Sequence, residues 1–556
     1  MDGNGILVHG NFCNTVCNLW VFEMEGDKMD ILMMAVIILV YLIVTVYLGY
    51  FGFRSTNSSE DYMVAGRKVN PAVMALSYGA AFISTSAIVG FGGVAGLFGF
   101  SLLWLTFLNI FVGIFIAYAI VGKRVRKIGM ETGALTFPEL LGKIYGSRFL
   151  QAFSGAVIFL FMPLYAGVVL IGAARFMEVS LSIDYSMALL FLSVVIALYV
   201  VYGGIIAVIY TDAFQGGIML VSMIFLLFAI YSFFGGIIPA HEALTSYNDI
   251  AIKLFHESGK IIGHNGWTAF PTLGSPAWWT LVSTIILGVG IGVLAQPQLA
   301  VRLMTVASDR DLDRAVPIGA FFIFVMVGTS FIAGSLSNAY FLETVGKPAV
   351  AVAGGNIDKI IPELINSLMP DWFIAVFMVT LLAAAMSTLS SQFHTIGSAL
   401  GRDIFQSGLL RKGDTIKITR VAISLGILFS VVLAYILPPG VIARGTAIFF
   451  ALCATSFLPA YIGGLYWKGA SRVGAISSVV FGFFASLFYL AFIHAKEAKE
   501  LGISRLIFGT DTILSFPWTV IDPLVVILPL STVIFVIGSL ISREKVVDRI
   551  KVEVES

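Results

Sequence analysis

Residues 75–93 read Ala75-Leu76-Ser77-Tyr78-Gly79-Ala80-Ala81-Phe82-Ile83-Ser84-Thr85-Ser86-Ala87-Ile88-Val89-Gly90-Phe91-Gly92-Gly93. Residues 288–298 read Gly288-Val289-Gly290-Ile291-Gly292-Val293-Leu294-Ala295-Gln296-Pro297-Gln298. Both segments sit inside long apolar stretches, and both are poor helices. Small residues and the consecutive hydroxyls of Ser84, Thr85 and Ser86 fill the middle of the first. The second has Gly at every other residue and a Pro deep within it. In hydrocarbon the chain must satisfy its own backbone, so a helix breaks only where the freed groups face protein, water or an ion. One such segment is commonly plain small-residue packing between helices. Two at matching positions of two halves mark a transporter built from repeats.

Composition establishes that the surroundings are hydrocarbon. Of 556 residues, 58% are apolar or aromatic and 12% are charged. A soluble domain carries about 25% charged residues, so this chain cannot cover itself with a water-compatible surface. The 46 Phe and 19 Tyr exclude a disordered or collagen-like chain. A net charge of +1 gives no field for nucleic acid, and 3 Cys are too few for a disulfide framework. A helix needs about 20 apolar residues to cross the bilayer. Thirteen stretches qualify: 30–53, 72–97, 101–122, 150–174, 186–209, 213–236, 278–300, 315–341, 372–399, 418–438, 442–467, 473–495 and 519–542. Strand-like alternation is absent, which disfavours a β-barrel. The expected fold is an all-α, multi-pass membrane protein of about thirteen transmembrane helices, in the plasma membrane.

The tail 1–29 carries Asp2, Glu23, Glu25 and Asp27 and no basic start, so it reads as an external tail and not as a signal peptide. With the N-terminus outside, 23 of the 33 Lys and Arg fall on the cytoplasmic side, led by Lys123, Arg124, Arg126 and Lys127. The positive-inside rule therefore favours N-out, C-in and an odd number of spans. The expected organisation is an external tail 1–29, one transporter domain 30–542 and a cytoplasmic tail 543–556. Loop 239–277 holds His241, His256 and His264 at spacings that fit no metal template, and a solvated loop is expected there. Cys13 and Cys17 are four apart, and the sequence leaves their pairing open.

The ninth stretch contains Thr380-Leu381-Leu382-Ala383-Ala384-Ala385-Met386-Ser387-Thr388-Leu389-Ser390-Ser391-Gln392. Ala384, Ser387 and Thr388 share a helical face. One carbonyl and two hydroxyls on that face suit a hard cation. The competing reading is that such hydroxyls bond back to carbonyls of their own helix. Ionisable groups inside spans are functional candidates by default. Asp212 lies at the join of the fifth and sixth stretches. Arg175 has a ready partner in Glu178, three residues on. His394 reads as a packed neutral residue. No GxxxxGK[ST] loop is present, so ATP-driven transport by this chain is not expected. No His, Cys and carboxylate constellation suggests an enzyme, and no organic cofactor or obligatory protein partner is expected.

These motifs resemble the sodium/solute symporter family, which includes proline, pantothenate, monocarboxylate, sugar and sialic acid symporters. The match runs from about Asp61 to about Tyr466, through Asp61-Tyr62-Met63-Val64-Ala65-Gly66-Arg67, Leu76 to Gly93, Gly203-Gly204 to Gln215, Gln296-Pro297 to Met304, and Ala384 to Gln392. The resemblance implies a LeuT-like fold with 5+5 inverted repeats, spans 2–6 and 7–11 (about 72–236 and 278–467). It implies a Na⁺ site formed by Ala80, Ile83, Ala384, Ser387 and Thr388, with no organic cofactor. Asp212, Ser390 and Ser391, with Ser387, match a second Na⁺ site of members similar to sialic acid symporters; the alternative for Asp212 is an exit route for the first ion. Arg67 matches a position at the cytoplasmic mouth.

The same resemblance places the solute against Ser84, Thr85, Tyr165, Gln296 and Pro297. Where proline carriers show a Trp and a Tyr, this chain has Val289 and Val293, and Phe82 replaces an Asp, so a less aromatic pocket without a carboxylate is expected. Few polar side chains are available for a sugar. The expected activity is sodium-coupled import of a small organic solute, a monocarboxylate or an amino acid, by alternating access. Rivals are a proline-type sodium symporter proper, a cation channel, which would want rings of ligands from several subunits, and a sensor, for which the tail 543–556 is short.

Overall fold

The structure is a computed structural model that describes residues 31–55, 58–200, 205–409 and 415–542. The expected tails, with Cys13 and Cys17, and the pair Gly203 and Gly204 lie outside the described residues. Among the described residues there is helix, turn and irregular chain, and no strand. In chain order the elements used below are α1 (Ile31–Arg54), α2 (Pro71–Phe82), α3 (Phe91–Phe98), α4 (Leu103–Ile110), α5 (Arg148–Leu181), α6 (Tyr185–Val200), α7 (Ile205–Phe233), α8 (Gly288–Gly292) and α9 (Pro297–Leu303). They continue with α10 (Asp309–Thr344), α11 (Ile360–Leu368), α12 (Asp371–Ser398), α13 (Thr415–Ile436), α14 (Ile442–Tyr466), α15 (Arg472–Phe492) and α16 (Pro523–Ile541).

Ten helices among the described residues are long and apolar enough to cross a membrane, against the thirteen expected. The difference has local causes. Residues 86–131 form one apolar helical run, because the chain turns at Gly99 (φ +62) with little loss of helix. α1 is an apolar helix of 24 residues, α6 runs up to residues 201–204, which lie outside the described residues, and α2 is a half-helix of 12 residues. Each expected stretch still corresponds to a helix.

Both weak segments are interrupted. α2 starts well, with Pro71 at its first position and the Asn70 side chain accepting from the Ala72 N–H. It stops at Phe82, and Ile83 takes an extended conformation (φ −89, ψ 93). The hydroxyl run competes for the freed backbone: Thr85 Oγ1 donates to Val169 O at 2.6 Å, and the Ser86 N–H donates to Ser84 Oγ at 3.1 Å. A π-helical turn, Ser86–Gly90, then leads into α3. In the second segment Gln296 is extended (φ −75, ψ 116) between α8 and α9. The cause is the proline after it, which pushes the preceding residue out of helical space.

α12 is the central helix: the most apolar 18-residue window of its run is 94% buried, against 28% for α16, which faces outward. α7 packs against α1, α2, α10 and α12, and α14 packs against α5, α8 and α15. Close approach rests on glycine at two points. A Cβ on Gly334 of α10 would overlap the Gly92 carbonyl of α3, and one on Gly93 would overlap the Ile357 carbonyl of the 345–370 connection.

The loop after α7 corrects the expectation of a solvated segment. Ile237–Ser246 is helical, and the loop's far end is inserted into the protein. Trp267 is fully buried and donates from Nε1 to Gly96 O at 3.1 Å. His264 is 1% exposed, with Nε2 2.8 Å from Leu97 O. The loop thus fastens the end of α3 where its last carbonyls lack helical partners.

Gly334→Val should destabilise the protein by roughly 1–3 kcal/mol through overpacking of two touching backbones. Gly217→Ala, whose added Cβ meets nothing within 4 Å, should be neutral or slightly stabilising. Melting curves of the two purified variants check this.

Candidate functional site

The break in α2 leaves carbonyls near its end without helical partners, and α12 answers them. Ser387 Oγ donates to Ala80 O at 2.9 Å and lies 3.3 Å from Ala384 O. Thr388 Oγ1 is 3.3 Å from both Ala80 O and Ala81 O. All these residues are buried. Ala80, Ala384, Ser387 and Thr388 therefore converge in one oxygen cluster. The Ala81 carbonyl joins it, which sequence reading did not foresee. Ile83 stands at the extended break itself, on the wall of the adjoining cavity.

The donor set suits a sodium ion. It is neutral, made of hard oxygens, and closed to water by the surrounding helices. The next two hydroxyls along α12, Ser390 and Ser391, behave differently. Ser390 Oγ is 3.1 Å and Ser391 Oγ 2.8 Å from Ser387 O, so both turn back on their own helix.

Ser390 and Ser391 also reach Asp212 of α7, Ser390 Oγ at 3.4 Å from Oδ1 and Ser391 Oγ at 3.4 Å from Oδ2. Asp212 is fully buried. Its Oδ2 accepts from Ser77 Oγ at 3.1 Å and from Arg302 Nη2 at 2.6 Å. Arg302, just past the end of the seventh apolar stretch, is 1% exposed. Its Nε donates to Ser77 Oγ at 3.0 Å, its Nη1 to Gln298 O at 2.8 Å, and its Nη2 also to Ser391 Oγ. One guanidinium thereby joins α2, α7, α9 and α12. The clue in the sequence was an Arg at the apolar end of the second weak segment, six residues after Gln296.

Arg67 is remote from both clusters. Its Nε pairs with Glu60 at 2.8 Å, and its Nη2 donates to Gly129 O at 3.2 Å and Ala134 O at 2.9 Å. It lies on the end of the molecule that carries Lys123 and Arg126, which pair with Asp313 and Asp309.

Next to the oxygen cluster is a narrow cavity of about 20 Å³, well below the usual range for ligand pockets (about 300–1,000 Å³). Ser84 and Tyr165 line it. Thr85 does not; its hydroxyl is taken by Val169 O. Gln296 and Pro297 are also outside the wall, and Gln296 Nε2 donates to Gly292 O at 3.2 Å. The wall is rich in rings despite Val289. Tyr165 and Phe450 meet edge-to-face at 5.3 Å, and Phe82 and Phe450 are stacked at 6.2 Å. The rings are Phe82 at the break, Phe91 of α3, Tyr165 of α5, Phe331 of α10 and Phe450 of α14. The wall carries no charged side chain. Its unforeseen polar members are Thr446 and Asn109. Asn109 is 3% exposed, and its Oδ1 has no hydrogen-bond partner.

Among the described residues no three His, Cys, Asp or Glu side chains gather as a metal-holding group. Arg175 pairs with Glu178 at 2.7 Å, as the spacing suggested, and His394 packs against Tyr62 with ring centroids 5.4 Å apart.

Comparison with known proteins agrees with this geometry. The chain is 28% identical over 476 residues to the osmoregulated proline transporter of Bacillus subtilis (strain 168), covering 84% of this chain and 90% of that one. It is 26% identical over 485 residues to a sodium/proline symporter of Staphylococcus aureus (strain bovine RF122 / ET3-1), covering 85% and 88%. A solved Na⁺-coupled sialic acid symporter in a substrate-bound outward-open state superposes with a TM-score of 0.69 at 18% identity, over 92% of this chain and 98% of that one, and so shares the fold. The sodium:solute symporter profile matches residues 62–482; the chain belongs to the sodium:solute symporter family and is a multi-pass membrane protein that couples solute movement to Na⁺.

Proposed function

We propose that this symporter imports a small amino acid with an apolar side chain, and that Ala80, Ile83, Ala384, Ser387 and Thr388 hold the coupling ion. The observation that carries the reading is that the broken segment belongs to two structures at once. Ala80 and Ala81 give carbonyls to the oxygen cluster, while Phe82, Ile83 and Ser84 form wall of the cavity. Ordering the break for one ligand orders it for the other. Each ligand then raises the other's affinity, and the effect is reciprocal.

Sodium moving down its electrochemical gradient would supply the driving force; the remaining work is done by the chain. Ser387 and Thr388 now direct their O–H groups at the α2 carbonyls. To serve an ion they would turn these protons away and present lone pairs. Neutral ligands make such a site releasable as well as attractive, since a carboxylate in low dielectric would hold the ion far more strongly.

For the solute, five aromatic rings offer apolar contact and a face for an ammonium group. The unpaired Asn109 amide offers a hydrogen bond. The names of the relatives point to proline as the first candidate. One feature supports a second reading, a short monocarboxylate: no carboxylate lines the cavity to meet an ammonium. In this scheme the repeats, about 72–236 and 278–467 within the transporter domain 30–542, move against each other. The end carrying Arg67 and Lys123 faces the cytoplasm, and the chain runs N-out to C-in.

A thermal-shift screen of amino acids and monocarboxylates, with and without Na⁺, tests the reading directly. Stabilisation by an amino acid only when sodium is present supports it; a hit confined to monocarboxylates selects the second solute class.

Ser387→Ala and Thr388→Ala each remove an oxygen aimed at a cation. The expected loss is about 1.5–3 kcal/mol, a roughly tenfold to hundredfold rise in the Na⁺ concentration for half-maximal uptake. An unchanged sodium curve would displace the ion site. Asn109→Ala should raise the solute half-saturation roughly tenfold at saturating Na⁺, read from uptake in proteoliposomes.

A further inference from the structure

The second oxygen cluster contains Asp212, Ser390, Ser391 and Ser77, fully enclosed among α2, α7 and α12. By oxygen count alone it could hold a second sodium. It does not fit one as it stands, because a cation is already there. The Arg302 guanidinium donates to Asp212 Oδ2 at 2.6 Å and to Ser77 Oγ at 3.0 Å, and it contacts Ser391 Oγ. These are oxygens that an ion would have to use.

We propose that Arg302 is a tethered cation whose guanidinium and a second Na⁺ are mutually exclusive at Asp212, so that the chain with Arg302 in place binds one sodium. The inference rests on the sodium site proposed above.

Three features support it. First, Asp212 has no other basic partner among the ion pairs of the described residues, and a buried carboxylate inside a membrane protein needs a cation beside it. The side chain of Arg302 meets that need permanently. Second, a guanidinium is planar, with five donors and no acceptor. Three of its nitrogens are committed here, to Ser77, Gln298 O and the Asp212–Ser391 pair, so it is held at several points. Third, Asp212 Oδ2 already accepts from Ser77, Ser391 and Arg302. A sodium arriving at that atom would displace these donors and sit against a fixed positive charge. By contrast, no basic side chain bonds to the Ala80–Ser387–Thr388 cluster.

The test counts sodium, independently of transport. Binding of ²²Na⁺ to the purified full-length protein is measured by scintillation proximity for the wild type, Ser387→Ala, Ser390→Ala, Arg302→Gln, and Arg302→Gln with Asp212→Asn. The expected wild-type count is one per chain, with that one weakened by Ser387→Ala. Arg302→Gln should bind two, and the added ion should vanish when Asp212 is also neutralised. Ser390→Ala leaves the guanidinium bridge in place and should leave the count at one.

The proposal is overturned if folded Arg302→Gln still binds one, or if the wild type binds two, a second sodium at Asp212 being the one that Ser390→Ala removes. The Ser390 comparison decides the matter even where Arg302→Gln fails to fold. A wild-type count of zero, or a count that Ser387→Ala leaves untouched in number and affinity, would instead overturn the sodium site on which this inference rests.

Discussion

The molecule is organised around an unmet obligation of the backbone. α2 ends at Phe82 in the middle of the protein, far from bulk water, and its last carbonyls have no helical N–H to accept from. In hydrocarbon such groups are costly unless something else bonds them. Ser387 and Thr388 on α12 do so for Ala80 and Ala81. Hydroxyl donors are a reversible solution. They can release the carbonyls and, by rotation, present oxygen beside oxygen. A neighbouring backbone N–H would have satisfied α2 just as well but would have left no place for a cation. The choice of Ser and Thr at these two positions thus turns a structural need into the proposed ion site.

Much of this was legible in the sequence because helix breaking is a local property. Ser84-Thr85-Ser86 and Gln296-Pro297 announce the two interruptions from residue types alone, and the backbone is extended at Ile83 and Gln296. The division of labour among the α12 hydroxyls was not legible. Ser387, Thr388, Ser390 and Ser391 are chemically alike and within five residues. Which of them bond across to α2 and which fold back on Ser387 O depends on the helix's rotation against its neighbours, a tertiary quantity. The same limit hid Arg302. A basic residue near the end of an apolar stretch reads as a topological anchor, and only packing reveals that its charge points inward to Asp212. Asn109 escaped notice because a lone amide in a span is silent until the cavity it borders exists. His264 was misread as solvated because nothing in the loop sequence shows that Trp267 carries the segment back into the protein.

Arg302 and the proposed ion cluster are two answers to one problem, placing positive charge in low dielectric. The first is covalent and permanent, and is matched by a full negative charge on Asp212. The second is exchangeable and is matched only by dipoles. A transporter needs this asymmetry. A mobile ion facing Asp212 alone would meet a strong attraction and leave slowly, while a tethered cation there, as proposed for Arg302, would stabilise the helix junction without entering the transport cycle. The bridge also ties α9, the second half of the broken seventh span, to α2, the first half of the broken second span, so the two interruptions are mechanically joined on one side of the cavity.

On the other side the closure has a different chemistry. The connection after α10 lies against α3, with the Ile357 carbonyl where a Gly93 side chain would be and Ile361 over Gly92. Asp358 from this connection accepts from the Gly440 N–H at 2.8 Å, at the start of α14, and Lys359 pairs with Glu178 of α5 at 3.0 Å. α3 and α14 both adjoin the cavity beside the oxygen cluster, through Phe91 and through Thr446 and Phe450. Separating them would expose the Asp358 carboxylate and the first N–H groups of α14 to water, which can bond both. Little is lost there, because the partners are groups that water satisfies well. Separating the Arg302 side breaks a fully buried charge pair, which costs more unless water reaches both ions. The two ends of the cavity are therefore closed by contacts of unequal strength, and the weaker closure is the one built from glycine contacts and a helix cap.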